Sequence, residues 1–329
     1  MVGTTEILRV ARLYYVYGLN QEDIAKKLGI SRSSVSRILQ EARNRGLVQV
    51  KIETQIKTDF HLAERLKSLY GLTDAVVVYT QDHNNSLEGE IDYDYKIKVD
   101  LAEAAAKYFE TVVTPNLTIG VSWGTTLYEF AKRARFHERL SNLTFVQLLG
   151  GFGLIAPDIQ ATEIVRLLSE NAGGKSVYLP APGLAASLHA RNLLLKDPII
   201  GGVLDLARRS EIAVISIGEI SESSTLVRTG QIKTDELKKL KEGGAVGDIC
   251  LQFFNSEGKP CCYEISSRAI GLTLEEIKTI PTVIAISGGR KKTAALRGAL
   301  KGGLVHVLIT DDMTAQSLVK EEGEEQVNI

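Results

Sequence analysis

Cysteine is scarce in this 329-residue chain: three residues, Cys250, Cys261 and Cys262. A lone cysteine and an adjacent pair exclude a disulfide framework and lack the two-residue spacer of a metal or redox pair. Buried or half-buried strand positions are expected for all three. The five histidines, His61, His83, His137, His189 and His306, are scattered with no two at helical ligand spacing, so no metal site is expected. Long apolar runs are missing too: nothing approaches the roughly 18 residues of a membrane span. Glu6, Arg9 and Arg12 break the apolar stretch from Met1 to Tyr17, which excludes a signal-peptide core. The expectation is a cytoplasmic protein without membrane contact. Charge of one sign is not in excess, since 39 Lys and Arg face 40 Asp and Glu. At 44% hydrophobic and 24% charged, the composition excludes disorder and low complexity, and the length favours two domains.

The near-zero net charge hides a division along the chain. Residues 1–52 hold nine Lys and Arg against four acids, a balance of +5 that leaves −6 for the rest. A small basic head on a mildly acidic body is what DNA binding by one module requires, because phosphate neutralisation supplies most non-specific affinity.

In the head, Ile7, Val10, Ala11 and Tyr14 recur at helical spacing, predicting a first helix from Thr4 to Tyr17 ended by Gly18. A second helix starts near Gln21 and stops at Gly29. Ser31 stands where an N-cap belongs, ahead of a third helix from Arg32 to about Asn44 with Val35, Ile38, Leu39 and Ala42 inward. With Ala25 permitting close approach and Gly29 taking the turn, the trio resembles a helix-turn-helix. In that motif the last helix enters the major groove. Its outward residues, Ser33, Ser36, Arg37, Gln40 and Asn44 with Arg32 and Ser34 alongside, suit base edges and phosphates. The alternative is a polar bundle surface used for protein contacts. Alternation through Leu47, Val48, Val50 and Ile52 predicts a short closing strand, like a wing. The division falls between a DNA-binding domain, 1–54, and a larger domain, 55–329.

A helix with Phe60, Ala63, Leu66 and Leu69 on one stripe joins the two parts and is a candidate for dimer contacts or domain packing. Beyond Asp74, short apolar runs alternate with amphipathic helices: 75–79, 117–122, 143–148, 176–179, 212–217, 282–287 and 304–309. Such alternation predicts a mainly parallel, Rossmann-like α/β sheet that binds ligands beyond the carboxyl ends of its strands.

Three strand ends carry glycine. Gly120, Val121, Ser122, Trp123, Gly124, Thr125 and Thr126 run into a helix, presenting hydroxyls and N–H groups at its N-terminus, a natural anion site. A tight turn with Thr125 as a mere cap is the plainer alternative. Gly150 and Gly151 would let a ligand approach the backbone. Gly288 and Gly289 open a third helix, followed by Arg290, Lys291 and Lys292. Thr225 and Asp248 are candidate partners for sugar hydroxyls, or surface residues. The two glycine turns with hydroxyls and cations converge on a phosphate or carboxylate.

The helix-turn-helix head together with Gly-Val-Ser-Trp-Gly-Thr-Thr (120–126), Leu-Leu-Gly-Gly (148–151), Ala-Val-Gly-Asp-Ile (245–249), Ser-Gly-Gly-Arg-Lys-Lys (287–292) and Leu-Ile-Thr-Asp (308–311) resembles the SorC family of bacterial sugar-responsive transcriptional regulators. The resemblance spans essentially the whole chain. It implies an effector domain related in fold to sugar-phosphate isomerases, a homo-oligomer, usually a tetramer, and operator DNA binding, as a repressor, controlled by a phosphorylated sugar or polyol. By that resemblance Thr125 and Thr126 hold the phosphate, Gly124 allows close approach, Lys292 adds charge, and Asp248 and Thr225 read hydroxyls. Leu149 departs from relatives that place a polar or basic side chain there. Arg290 and Lys291 have no counterpart in the motif and read as solvated helix charge. A sugar-phosphate isomerase or deaminase is the alternative, but catalysis needs a placed acid and base. No histidine lies in the glycine loops and Asp248 alone is no pair, so no catalytic residue and no cofactor are expected.

Overall fold

The computed structural model describes residues 3–48, 56–80, 93–136, 140, 142–152 and 160–327. They fall into two compact units, Met1–Gln55 and Ile56–Ile329.

The head is built on helix α1 (Thr4–Ala11), which runs on as a wider π-helical turn through Arg12–Val16. Helix α2 (Gln21–Leu28) starts where the Asn20 side chain accepts the N–H groups of Glu22 and Asp23, and ends at Gly29, whose φ of 65° suits a residue without a side chain. Ser31 then accepts the Ser34 N–H and starts α3 (Arg32–Asn44). Ile7, Val10, Ile24, Val35, Leu39 and Ala42 meet in a small core. Leu47 and Val48 pack against it, whereas Val50 and Ile52 of the expected wing lie outside the described residues.

The body opens with α4 (Phe60–Tyr70), capped by Asp59. Then come β1 (Asp74–Val78), α5 (Tyr93–Val112), β2 (Thr118–Val121), α6 (Thr125–Arg133), β3 (Thr144–Gln147), α7 (Ala161–Ala172) and β4 (Lys175–Val177). Two helices, α8 (Leu188–Leu194) and α9 (Pro198–Arg208), lead to β5 (Ile212–Ile215). A smaller layer follows: β6 (Gly218–Glu219), α10 (Thr225–Arg228), α11 (Thr234–Glu242), β7 (Gly247–Ile249), β8 (Gln252–Phe254), α12 (Tyr263–Ser266) and α13 (Leu274–Lys278). The chain closes with β9 (Thr282–Ile286), α14 (Thr293–Lys301), β10 (Val307–Asp311) and α15 (Asp312–Val327).

Seven strands form a wholly parallel sheet in the order β1-β10-β9-β5-β2-β3-β4. Its central strands, β5 and β9 among them, are apolar on both sides because both sides are covered. Successive residues obey the two-residue period: Ala213, Ile215, Val283 and Ala285 enter the core under α4, α9, α14 and α15. Their neighbours Ile212, Val214, Ile284 and Ile286 enter the other core, under α5, α6 and α7. From β2 the chain moves outward to β3 and β4, then returns to β5 on the other flank and moves outward again through β9 and β10. A crevice forms at such a reversal, outside the carboxyl ends of β2 and β5.

The antiparallel sheet β6-β7-β8 stands apart from this sheet and was not visible as apolar runs. Strands of two and three residues are too short to carry a period. Nor do the cysteines occupy strands: Cys250 is buried in the turn after β7, and Cys261 and Cys262 are half-buried ahead of α12. Among the described residues no helix is long and apolar enough to cross a membrane.

Candidate functional site

On the head, packing of Val35, Ile38, Leu39 and Ala42 turns the opposite side of α3 outward. Arg32, Ser33, Ser36, Arg37 and Gln40 are exposed there, as one surface. Ser34 is half-buried and shares its hydroxyl with the Ser31 cap at 2.9 Å, and Ser33 does the same at 2.9 Å. These two serines are thus tied to the helix start, while the two arginines and Gln40 extend beyond it.

In the body, a cavity of about 400 Å³ lies over the carboxyl ends of the central strands. Its floor comes from three loops. After β2, Trp123, Gly124, Thr125 and Thr126 lead into α6, and the N-terminus of that helix opens on the cavity. The first N–H groups of a helix have no partner within it, so they and the two hydroxyls form a concave donor surface. Gly124 has φ of 131°, a conformation that a side chain would strain. Trp123 is held from behind by Phe152, ring centres 4.3 Å apart.

After β9, Gly288 and Gly289 carry the chain into a short 3-10 turn, Arg290–Lys292. Lys292 is half-buried and reaches the Ser287 hydroxyl at 3.4 Å. Burial pulls its ammonium below the ordinary lysine value, although Glu219 and Asp248 act in the opposite sense. An anion binding beside it would act against that pull and favour the charged form.

After β5, Ser216, Ile217, Gly218 and Glu219 form the third loop, with Thr225 and Arg228 of α10 above it. Asp248 comes from β7 and is buried, 3% exposed, with one oxygen accepting the Leu251 N–H at 3.1 Å. Desolvation pushes its carboxyl up to about 6, against the pull of Lys292. Its close approach depends on Gly218, its pairing partner across β6 and β7, where a Cβ would sit 2.1 Å from a carboxylate oxygen. Helix α5 supplies the remaining wall through Tyr93, Asp94, Ile97, Lys98 and Leu101.

Gly124, Thr125, Thr126, Thr225, Asp248 and Lys292 therefore share one cavity. Gly120, Ser122 and Gly151 are not among its lining residues. Gly120 lies inside β2, where a Cβ would strike Leu148 at 2.4 Å. The Ser122 hydroxyl is turned to Cys250, whose Sγ donates to it at 3.5 Å. Gly151 bridges to Pro182 on the far flank of the sheet. Leu149 is fully buried in apolar core. Arg290 and Lys291 border the cavity, and Lys291 pairs with Asp94 at 3.6 Å while both stay exposed. Glu219, Arg228 and the α5 residues were not singled out from sequence. Only the fold brings these separate segments together.

A helix-turn-helix on one unit and a partly open cavity at the carboxyl ends of the strands on the other are the architecture of a transcriptional regulator with a ligand-binding domain. Residues 54–320 match the family described as "Putative sugar-binding domain", and residues 4–51 match the family described as "Homeodomain-like domain". The deoxyribonucleoside regulator of Bacillus subtilis is 32% identical over 316 residues, covering 95% of this chain and 97% of its own. The erythritol catabolism regulatory protein EryD of Brucella abortus is 28% identical, covering 95% of each chain. Among solved structures, a DeoR family transcriptional regulator from Listeria monocytogenes has a TM-score of 0.71 and 31% identity, covering 78% of this chain and 98% of that one. The full-length sorbitol operon regulator SorC from Klebsiella pneumoniae shares the fold along 95% of this chain and 98% of its own, with a TM-score of 0.71 at 22% identity.

The chain belongs to the SorC family of transcriptional regulators with a sugar-binding domain. It is a DNA-binding regulator rather than a metabolic enzyme.

Proposed function

We propose that this regulator is a cytoplasmic repressor whose affinity for its operator is set by a phosphorylated sugar or polyol bound in the body cavity. The observation that carries this reading is the pairing of two chemically different ends in one cavity. The α6 N-terminus with Thr125, Thr126 and Lys292 suits an anionic group, and Thr225 and Asp248 suit hydroxyls. Deoxyribonucleosides and erythritol, named in two relatives, both carry hydroxyl groups, which supports the hydroxyl-reading end.

On the head, Arg32, Ser33, Ser34, Ser36, Arg37 and Gln40 form the DNA-contacting surface. Arg37 and Gln40 are the base readers, through guanine and adenine respectively, and the serines serve the backbone. The regulator acts as a homo-oligomer, a tetramer by its resemblance to the family, in which a pair of heads reads the two half-sites of a palindromic operator. Effector and operator favour different arrangements of that assembly, so a coupling of about 1 to 3 kcal/mol changes operator affinity roughly 5- to 150-fold.

A thermal-shift screen of the purified protein against sugar phosphates, polyol phosphates and their unphosphorylated counterparts tests the ligand class. A ligand at a hundred times its Kd raises stability by about 2.7 kcal/mol. Stabilisation by a phosphorylated compound and not by its free sugar is the expected result. Stabilisation by the free sugar alone removes the anionic role of the α6 end.

A further inference from the structure

The chain enters the body through residues 56–59, and these do not hang free. Thr58 bridges to Val78 along the outer side of β1, the edge strand of the parallel sheet. The Asp59 N–H donates to the Val77 carbonyl at 2.8 Å, and the Tyr79 N–H donates to the Lys57 carbonyl at 2.9 Å. The Tyr79 hydroxyl adds a 2.6 Å bond to Asp59, which also caps α4. That hydroxyl holds the Asp59 carboxyl below its ordinary range, so the acceptor stays ionised. The only covalent route from the head is thereby seated on the carboxyl end of β1.

The same end of β1 is tied to the cavity. Thr80 donates both its N–H (3.2 Å) and its hydroxyl (2.8 Å) to Asp312, the first residue of α15. The residue before it, Asp311, is fully buried and accepts the Gly289 N–H at 2.7 Å, the Thr314 N–H at 2.9 Å and the Thr314 hydroxyl at 2.7 Å. Gly288 makes this possible, because a Cβ there would lie 2.3 Å from the Asp311 carboxylate. Gly289 begins the turn that carries Lys292 into the cavity.

We propose that Asp311 and Asp312 are positioning residues that transmit occupancy of the cavity to the linker, one gripping the Gly288–Gly289 turn and the other gripping Thr80 beside the linker's seat on β1. This rests on the reading that the α6 end and Lys292 hold an anion. When the turn closes on that anion, Asp311 moves with Gly289. Asp312, one peptide away, carries the displacement to Thr80 and Tyr79, and so to Lys57 and Asp59. The relay is made of short, directional hydrogen bonds from backbone and hydroxyl groups to two buried or half-buried aspartates, so a displacement at one end is passed along the chain of bonds to the other. Neither aspartate lines the cavity, which separates transmission from binding.

Amide hydrogen exchange on the full chain, with and without inorganic phosphate as the anionic probe, tests this. In the parent, phosphate is expected to slow exchange several-fold at Thr125 and Thr126, and also at Asp59 and Tyr79. In Asp312→Ala the first effect stays and the second is lost, while Asp312→Asn, which keeps an acceptor oxygen, restores it. Tyr79→Phe provides a milder break on an exposed ring and is expected to reduce the effect at Asp59 alone. Phosphate protection at Thr125 and Thr126 with no change at the linker, or with a linker change that survives both Asp312→Ala and Tyr79→Phe, overturns the relay alone. Lack of protection at Thr125 and Thr126 overturns the anion-site reading, and the relay with it.

Discussion

Head and body place their polar groups on surfaces of opposite kind. In the head the groups proposed to meet DNA lie along one helix and, apart from half-buried Ser34, are exposed. In the body the equivalent groups are withdrawn into a cavity, where Asp248 is buried and Lys292 half-buried, each driven away from its charged form by desolvation. The first surface works by long-range attraction that salt screens. The second works by groups whose charge state responds to what lies beside them. A regulator needs both: a reader that searches a polyanion and a sensor that ignores everything except one small molecule.

The sharpest way to break the comparison is to silence one unit and leave the other intact. Thr125→Val with Thr126→Val keeps volume and removes both hydroxyls. It is expected to erase the ligand-induced stabilisation, about 2.7 kcal/mol at a hundredfold excess, while operator affinity in a footprint titration stays as it was. A double variant still stabilised at the same ligand concentration would remove this loop from the site.

The converse is Arg37→Ala, for which operator binding should weaken by about 1 to 3 kcal/mol with the thermal response to ligand unchanged. An unaltered affinity moves the base contact to another residue of α3.

Asp248 sharpens the electrostatic half of the contrast. Its carboxyl titrates near 6 in the folded protein, against an ordinary value of 3.8. The native state thus holds the proton more tightly than the unfolded chain. The stabilisation is complete below the unfolded value, declines as pH rises, and is gone above about 6. Asp248→Asn removes the titration, so its stability, read from the melting temperature, should exceed the parent's at about pH 7.5, by about 1 to 3 kcal/mol, and fall level with it only at about pH 3, below the unfolded value. Parallel pH profiles for the two proteins would show that Asp248 does not titrate in this range.

The smallest effect belongs to the head. Ser31→Ala removes the cap of α3 and should cost about 1 kcal/mol of the head's stability, read by local hydrogen exchange along Arg32–Val35. No loss of protection there would leave the Ser33 and Ser34 hydroxyls as sufficient substitutes.

The head was readable because its determinants are local. A cap at Ser31, a turn at Gly29 and a stripe of Val35, Ile38, Leu39 and Ala42 lie within fifteen residues and use the helical period. Most of the parallel strands were readable for the same reason, as apolar runs with glycine or polar residues at their ends; β4, Lys-Ser-Val at the sheet edge, has one apolar residue and starts a residue before the run expected at 176–179. What could not be read was adjacency. Gly120 and Ser122 belong to the same motif as Thr125, yet two residues lie in or just after the strand and the other begins the helix, so only one reaches the cavity. Glu219 and Arg228 gave no local signal, because their position depends on the two-residue strand β6, whose Gly218 pairs with Asp248 from 30 residues away. Cys250 was expected in a strand but takes a turn with φ of 53°, a choice made by packing rather than by propensity.

Two sheets contribute to the one cavity. The loops that suit an anion spring from the parallel sheet, where Gly124, Gly288 and the buried Asp311 allow little substitution without collision, strain or lost hydrogen bonds. The loops that would read the remainder of a ligand, around Glu219, Thr225, Arg228 and Asp248, belong to or flank the small antiparallel sheet. Diversification is thereby partitioned. On the proposed reading, exchange of Glu219, Thr225 or Arg228 in the minor layer would change which ligand is preferred while the donor surface at the start of α6 keeps its shape.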